Sequence, residues 1–255
     1  MSPKKIKELT EKKYRTETGL FMVEGEKNIR ELLASDFTIT ELRATRPFLN
    51  IIEDEIVAYE QKIGDRIEII ENTESQLVSM GTFMSNSAGI AIALQKEPVA
   101  TDTVFQNAQE NFVLMLDDIR DPGNLGTIIR IADWYGIEHI IASPTTVDFY
   151  NSKVITASMG SFTRVAVTYS ELTEALKDAQ QKELPILTAD MHGKSVHEGE
   201  LPKNGLLIMG SESHGVSGAV HAFATTTVSI PRFGKAESLN VSVATGILLD
   251  ALRRN

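Results

Sequence analysis

The chain has 255 residues, 42% hydrophobic and 24% charged, with a formal net charge of −10 and no cysteine. This is the composition of an ordinary globular protein of one large domain or two small ones, and it excludes disulfides, thiolate catalysis and Cys-based zinc or iron–sulfur sites. No apolar run reaches the roughly 20 residues of a membrane span, and Met1-Ser2-Pro3-Lys4-Lys5 leads into no apolar stretch, so neither a membrane segment nor a secretory signal is expected and a cytoplasmic location fits.

Ser2 and Pro3 read as the N-cap and first residue of a helix, with Gly19 as its stop. Residues 1–15 hold Lys4, Lys5, Lys7, Lys12, Lys13 and Arg15 against Glu8 and Glu11. The acidic total argues against a polyanionic partner, whereas this local basic run reads as an RNA contact or as a solvated helix face. Residues 20–23 follow as a strand, 26–34 as a helix, 39–44 as a strand, 47–63 as mostly helical and 66–70 as a strand. Residues 73–80 are helical in character and 88–94 form an apolar strand.

Residues 95–102 are polar, contain Pro98 and lack apolar periodicity, which places a boundary there. The expected organisation is a small α/β domain over 1–96, a linker over 97–110 and a second domain over 111–255. The second domain restarts with the apolar run 111–116, suited to a buried parallel strand. A helix over 124–135 follows, with Leu125, Ile128, Ile129, Ala132 and Tyr135 at helical spacing. Apolar runs at 139–142, 164–167, 184–189, 206–209 and 227–230, mostly separated by helical patterns, imply a parallel sheet covered on both faces.

Three segments of that second domain carry chemistry. In the first, a strand ends at Asp117-Asp118, Pro122-Gly123 make a turn, and a helix opens at Asn124 with Arg130 further along. Free N–H groups at a helix start hold anions, and a guanidinium offers a fixed fork of donors to phosphate or ribose; taken alone, Asn124 is an N-cap and Arg130 a surface cation. In the second, the apolar run to Met209 enters Gly210-Ser211-Glu212, and Gly210 and Gly215 permit close backbone approach to a ligand. In the third, Ile230-Pro231-Arg232-Phe233-Gly234-Lys235 precedes Ser238-Leu239-Asn240, with Ser238 expected to cap a last helix that is apolar almost all round. Such a helix is buried on most sides, in a core or at a subunit interface.

In this order the segments resemble the motifs of the SpoU (TrmH-like) family of the SPOUT methyltransferases. N-x-G-x-x-x-R appears at Asn124–Arg130, G-x-E at Gly210–Glu212, and I-P with S-L-N-V-S at Ile230-Pro231 and residues 238–242. The N-terminal part more weakly resembles the family's accessory domain, an α/β unit like RNA-binding ribosomal proteins, through Lys12-Lys13-Tyr14-Arg15 and Phe21-Met22-Val23-Glu24-Gly25. The resemblance implies an α/β fold with a C-terminal parallel sheet and a deep trefoil knot, a homodimer, and S-adenosylmethionine held at Met209, Gly210, Ile230, Ser238 and Leu239. It implies 2′-O-ribose methylation of RNA, ribosomal first and transfer RNA as the alternative, with Arg130, Asn124, Glu212, Ser238 and Asn240 as the catalytic set. A guanidinium keeps its proton too firmly to be a cheap base, so Arg130 is expected to position the ribose or phosphate. Lys12, Lys13 and Arg15 are the expected RNA contacts of the accessory domain. Where the family often has Ile-Pro-Met, Arg232 and Lys235 add positive charge, as RNA contacts or as solvated cations.

A non-catalytic RNA-binding protein of the same fold is an alternative that the N-terminal half alone would support. A nucleotide-linked α/β enzyme lacks its phosphate-binding glycine fingerprint. No H-x-x-x-H pair is formed by His139, His192, His197, His214 and His221, so no metal is expected.

Overall fold

The computed structural model describes residues 1–254 and divides into two compact units, residues 1–97 with 148–164, and the remainder. The first unit begins with α1 (Pro3–Glu8) and α2 (Lys12–Thr18). The single helix expected up to Gly19 is therefore broken, because Leu9 turns inward to 1% exposure and Thr10 Oγ1 donates to the Lys7 carbonyl. Gly19 ends α2 at φ +65°, as its lack of a side chain allows. There follow β1 (Leu20–Glu24), α3 (Glu26–Ala34), β2 (Ile39–Ala44), α4 (Arg46–Ile51), α5 (Glu53–Ile63), β3 (Glu68–Glu71), α6 (Glu74–Met80) and β4 (Gly89–Leu94). The sheet runs β1-β4-β2-β3, with β4 antiparallel to both neighbours and β2 parallel to β3. Ile6, Leu9, Met22, Leu77, Met80, Ile90 and Ile92 close one core beneath it.

The second unit opens with α7 (Thr101–Ala108). Residues 97–110 are thus more than a linker: Val104, Phe105 and Ala108, on one face of this helix, are fully buried in the domain core. After α7 come β5 (Phe112–Asp117), α8 (Pro122–Trp134) and β6 (His139–Ala142). Residues 148–164, with α9 (Ser152–Ala157), belong to the first unit. The second then resumes with β7 (Ala166–Tyr169), α10 (Leu172–Gln181), β8 (Ile186–Ser195), β9 (Gly205–Gly210), α11 (Gly218–His221), β10 (Thr226–Ser229) and α12 (Val241–Arg254). The six strands lie in the order β10-β8-β9-β5-β6-β7 and every pairing is parallel. All six residues of β5 are buried, as a central parallel strand covered on both faces demands.

The assignment of 148–164 to the first unit explains Arg15. Far from facing RNA, its side chain is 2% exposed; Nε and Nη2 both donate to Asp148 Oδ2, and Nη1 donates to the Leu9 carbonyl. Phe21, Phe37, Tyr150 and Phe162 pack around the same segment. Removing a buried partner strands the other charge. Arg15→Ala is therefore expected to destabilise the first unit by about 3 kcal/mol in urea unfolding, whereas Lys12→Ala and Lys13→Ala, both exposed, leave the midpoint unchanged. An Arg15→Ala variant of parental stability that binds RNA poorly would restore Arg15 to the RNA surface.

Candidate active site

Three loops leave the carboxyl ends of β5, β9 and β10 and meet at one point. The first is set by Asp121, whose Oδ1 accepts from Asn124 N at 2.8 Å and caps α8, with Pro122 as the first helical residue. Asp121, not Asn124, is therefore the N-cap. The Asn124 carboxamide is free to reach outward, and its Nδ2 donates to Glu212 Oε1 at 2.7 Å.

Glu212 stands in a tight loop. Ser211 N donates to the Gly215 carbonyl at 3.1 Å, Gly215 N returns a bond to the Ser211 carbonyl at 2.9 Å, and Gly215 takes φ +67°. Ser217 N donates to Asp117 Oδ2 at 2.8 Å, which ties the far end of the loop to β5. Gly210 is obligatory here: a Cβ on it would lie 2.0 Å from the Gly215 carbonyl carbon and 2.1 Å from Val216 N.

Asn240 completes the meeting. Its Nδ2 donates to Glu212 Oε1 at 2.8 Å and to Asn124 Oδ1 at 2.9 Å, while its Oδ1 accepts from Ser242 N, Val243 N and the Ser242 hydroxyl. Asn240 is thus the cap of α12, the place expected for Ser238; Ser238 is exposed and, among the described residues, makes no hydrogen bond to this cluster. One carboxylate oxygen holds two carboxamides, and the three bonds among Asn124, Glu212 and Asn240 join loops distant in sequence. Such a hub fixes all three loops against one another.

Arg130 lies on α8 six residues beyond Asn124, a rise of about 9 Å and a rotation of about 120° around the helix. It is exposed and makes no ion pair or side-chain hydrogen bond among the described residues. The structure does not join it to the hub within one chain. Nearby, Asp118 takes φ +62° and pairs with Arg120 at 2.9 Å, which holds the Asp118 carboxyl below its ordinary range.

The segment from 232 to 240 is exposed throughout. Among the described residues neither Ile230 nor Leu239 makes a backbone–backbone hydrogen bond. Met209, in contrast, is 2% exposed as the penultimate residue of β9, leaving at most its backbone near the site. Lys12 and Lys13 are exposed on α2 in the other unit. Among the described residues no cluster of three His, Asp or Glu side chains is arranged for a metal, and no helix is long and apolar enough to cross a membrane. Sequence reading missed Asp121 and Ser242, although Asp121 directly before Pro122 is a recognisable helix start.

A polar hub at the carboxyl edge of a parallel sheet, where α/β sheets bind their ligands, defines a ligand-binding α/β enzyme scaffold. The SpoU rRNA Methylase family matches residues 111–250, and the MRM3-like substrate binding domain matches residues 3–88. The chain belongs to the SpoU rRNA methylase family. It is 30% identical over 253 residues to the 23S rRNA (guanosine(2553)-2′-O)-methyltransferase RlmP of Bacillus subtilis, covering 97% of this chain and 94% of that one. It is 33% identical over 166 residues to the 23S rRNA (guanosine-2′-O-)-methyltransferase RlmB of Neisseria meningitidis, covering 64% of this chain and 66% of that one. The AdoMet-bound rRNA methyltransferase of Sinorhizobium meliloti superposes with a TM-score of 0.81 at 29% identity, over 99% of this chain and 94% of that chain.

Proposed function

We propose that this protein methylates a ribose 2′-hydroxyl of RNA with S-adenosylmethionine, acting on ribosomal RNA. The observation that carries the reading is the Asn124–Glu212–Asn240 hub, which brings the three family motifs to one place. The relatives named above act on 23S rRNA as 2′-O-methyltransferases, and the family displaces the nucleotide-linked reading.

The residues present fit such a donor. The backbone groups of Ile230 and Leu239, which make no backbone–backbone bond among the described residues, suit the hydrogen-bonding edge of an adenine, and the carboxylate of Glu212 offers negative charge. When bound, S-adenosylmethionine supplies an electrophilic methyl group whose thioether departs with the bonding pair. The chain's own part is to position the ribose hydroxyl, exclude competing water and ease the departure of its proton. Glu212, held by two carboxamides, fixes the loops that flank donor and acceptor. Arg130, without an ion pair among the described residues, is suited to the RNA phosphate or ribose and stabilises charge there.

The same reading includes a homodimer. Between α8 and α12 lies a groove of about 430 Å³ lined by the mostly apolar Ile131, Tyr135, Val243, Gly246 and Ile247 together with His197, Ser242 and Asp250, and Trp134 is 84% exposed on α8. A largely apolar groove with an exposed tryptophan at its side is suited to a second copy, and a second copy is a route by which Arg130 reaches a hub that it does not join in its own chain. A trefoil knot fits the placement of β8 and β9 between β10 and β5 and the return of residue 240 onto the loops after β5 and β9. The exposed Lys12 and Lys13 suit RNA contact, and a cytoplasmic location goes with a ribosomal substrate.

The test uses radiolabelled S-adenosylmethionine with unmodified 23S rRNA and, separately, transfer RNA, followed by nucleoside mass spectrometry. Label is expected in a 2′-O-methyl nucleoside of the rRNA. Label in tRNA alone would move the substrate to tRNA, and base methylation or no label would overturn the reading.

A further inference from the structure

Phe233 is 98% exposed, which leaves a whole phenyl ring in water seven residues before Asn240 of the hub. Its loop is closed on itself: Arg232 Nη1 donates to the Ala236 carbonyl at 3.4 Å, so Phe233, Gly234 and Lys235 form the tip. A Cβ built on Gly234 meets nothing within 4 Å among the described residues, and Phe233, Gly234 and Lys235 are all exposed. Arg232 and Lys235 flank the ring, with Glu237 the acidic residue of the loop. From Ala236 to Asn240 is four residues, a reach of at most about 14 Å, and Asn240 is a member of the hub.

These features differ from those of Trp134, the other aromatic of comparable exposure. Trp134 projects from a helix whose neighbouring apolar side chains line the groove on α8 and α12, whereas Phe233 stands alone in a polar, cationic turn. A lone ring between two cations, next to a site that takes a ribose, fits a nucleic-acid base. Bases stack on aromatic rings whatever their identity, RNA is read through unstacked bases splayed onto such rings, and flanking Arg and Lys hold the adjoining phosphates.

We propose that Phe233 is a base-stacking residue that seats the RNA strand within a nucleotide or two of the methylated ribose, with Arg232 and Lys235 on the flanking phosphates. This rests on the methyltransferase reading above. The ring acts on RNA, not on the methyl donor: by stacking one base it fixes the strand's register over the hub and so determines which ribose is presented.

The test compares Phe233→Ala, Phe233→Leu and Phe233→Trp in the full-length protein. Alanine is expected to lower kcat/KM for 23S rRNA about tenfold or more, the range of a lost base stack, with S-adenosylmethionine affinity and oligomeric state unchanged. Leucine, apolar but not aromatic, is expected to fail like alanine, and tryptophan to stay within about threefold of the parent. The Phe233→Trp protein should lose fluorescence when a mixed-sequence single-stranded RNA is added, a quench absent from the parent, whose single tryptophan is Trp134. If the parent methylates rRNA and Phe233→Ala matches it, the stacking role is wrong while the function stands. If Phe233→Ala loses cofactor affinity or changes oligomeric state, Phe233 covers the donor or a partner chain, and the proposal is overturned. A parent that methylates no RNA defeats the functional reading itself.

Discussion

Arg130→Ala is expected to reduce kcat for RNA methylation about 10³-fold, the scale of removing one preorganised charge-stabilising donor, while leaving S-adenosylmethionine affinity within about twofold. The expectation comes from what Arg130 does not do. It has no ion pair or side-chain hydrogen bond among the described residues, so the fold gains little from its charge. An exposed residue of that kind normally changes stability by less than about 0.5 kcal/mol when replaced, so any large loss of turnover is chemical. Arg130→Lys separates two roles. A point charge alone would preserve most of the rate, whereas a forked contact to ribose or phosphate is lost with the guanidinium. Single-turnover rates for the three proteins decide the matter, and parental turnover in Arg130→Ala would remove Arg130 from the mechanism.

The second large effect is at Gly210. Its missing Cβ leaves the room in which Gly215 and Val216 sit, and the obstructing atoms are backbone, which cannot rotate away. Gly210→Ala is expected to dislodge the loop from Ser211 to Gly215, separate Glu212 from Asn124 and Asn240, and reduce both cofactor affinity and turnover at least about 100-fold. Overpacking of this kind costs about 1–3 kcal/mol, so the variant should still fold, with an intact far-ultraviolet spectrum. Gly234→Ala serves as the control, because the same methyl group there meets open space. Calorimetric titration with S-adenosylmethionine measures the contrast directly, and equal affinities for the two variants would refute the argument.

Much of the architecture is legible in the sequence because its determinants are local. The runs that became β5 and β9 are continuously apolar, and a strand buried on both faces requires that. Gly19 ends its helix through its own backbone freedom. Asn124, Glu212 and Asn240 are brought together as their motifs suggest. The errors arise where two residues compete for one role or where the deciding contact is distant. Asp121 and Asn124 are both good N-caps, as are Ser238 and Asn240, and in each pair the residue left over is uncommitted to helix capping. Arg15 sits in a run of exposed lysines and looks like one of them until Asp148, far along the chain, supplies its partner. The later part of β8 is polar, and it is held only after the pairing with β10 slips between Thr227 and Val228.

The hub has a consequence for the order in which the loops become fixed during synthesis. Its three members lie at positions 124, 212 and 240, and the last of them caps the C-terminal helix. A nascent chain emerging from the ribosome can have its β5 and β9 loops in place and still lack the amide that clamps them. The hub therefore closes in a single step, once residue 240 is in place, and not loop by loop.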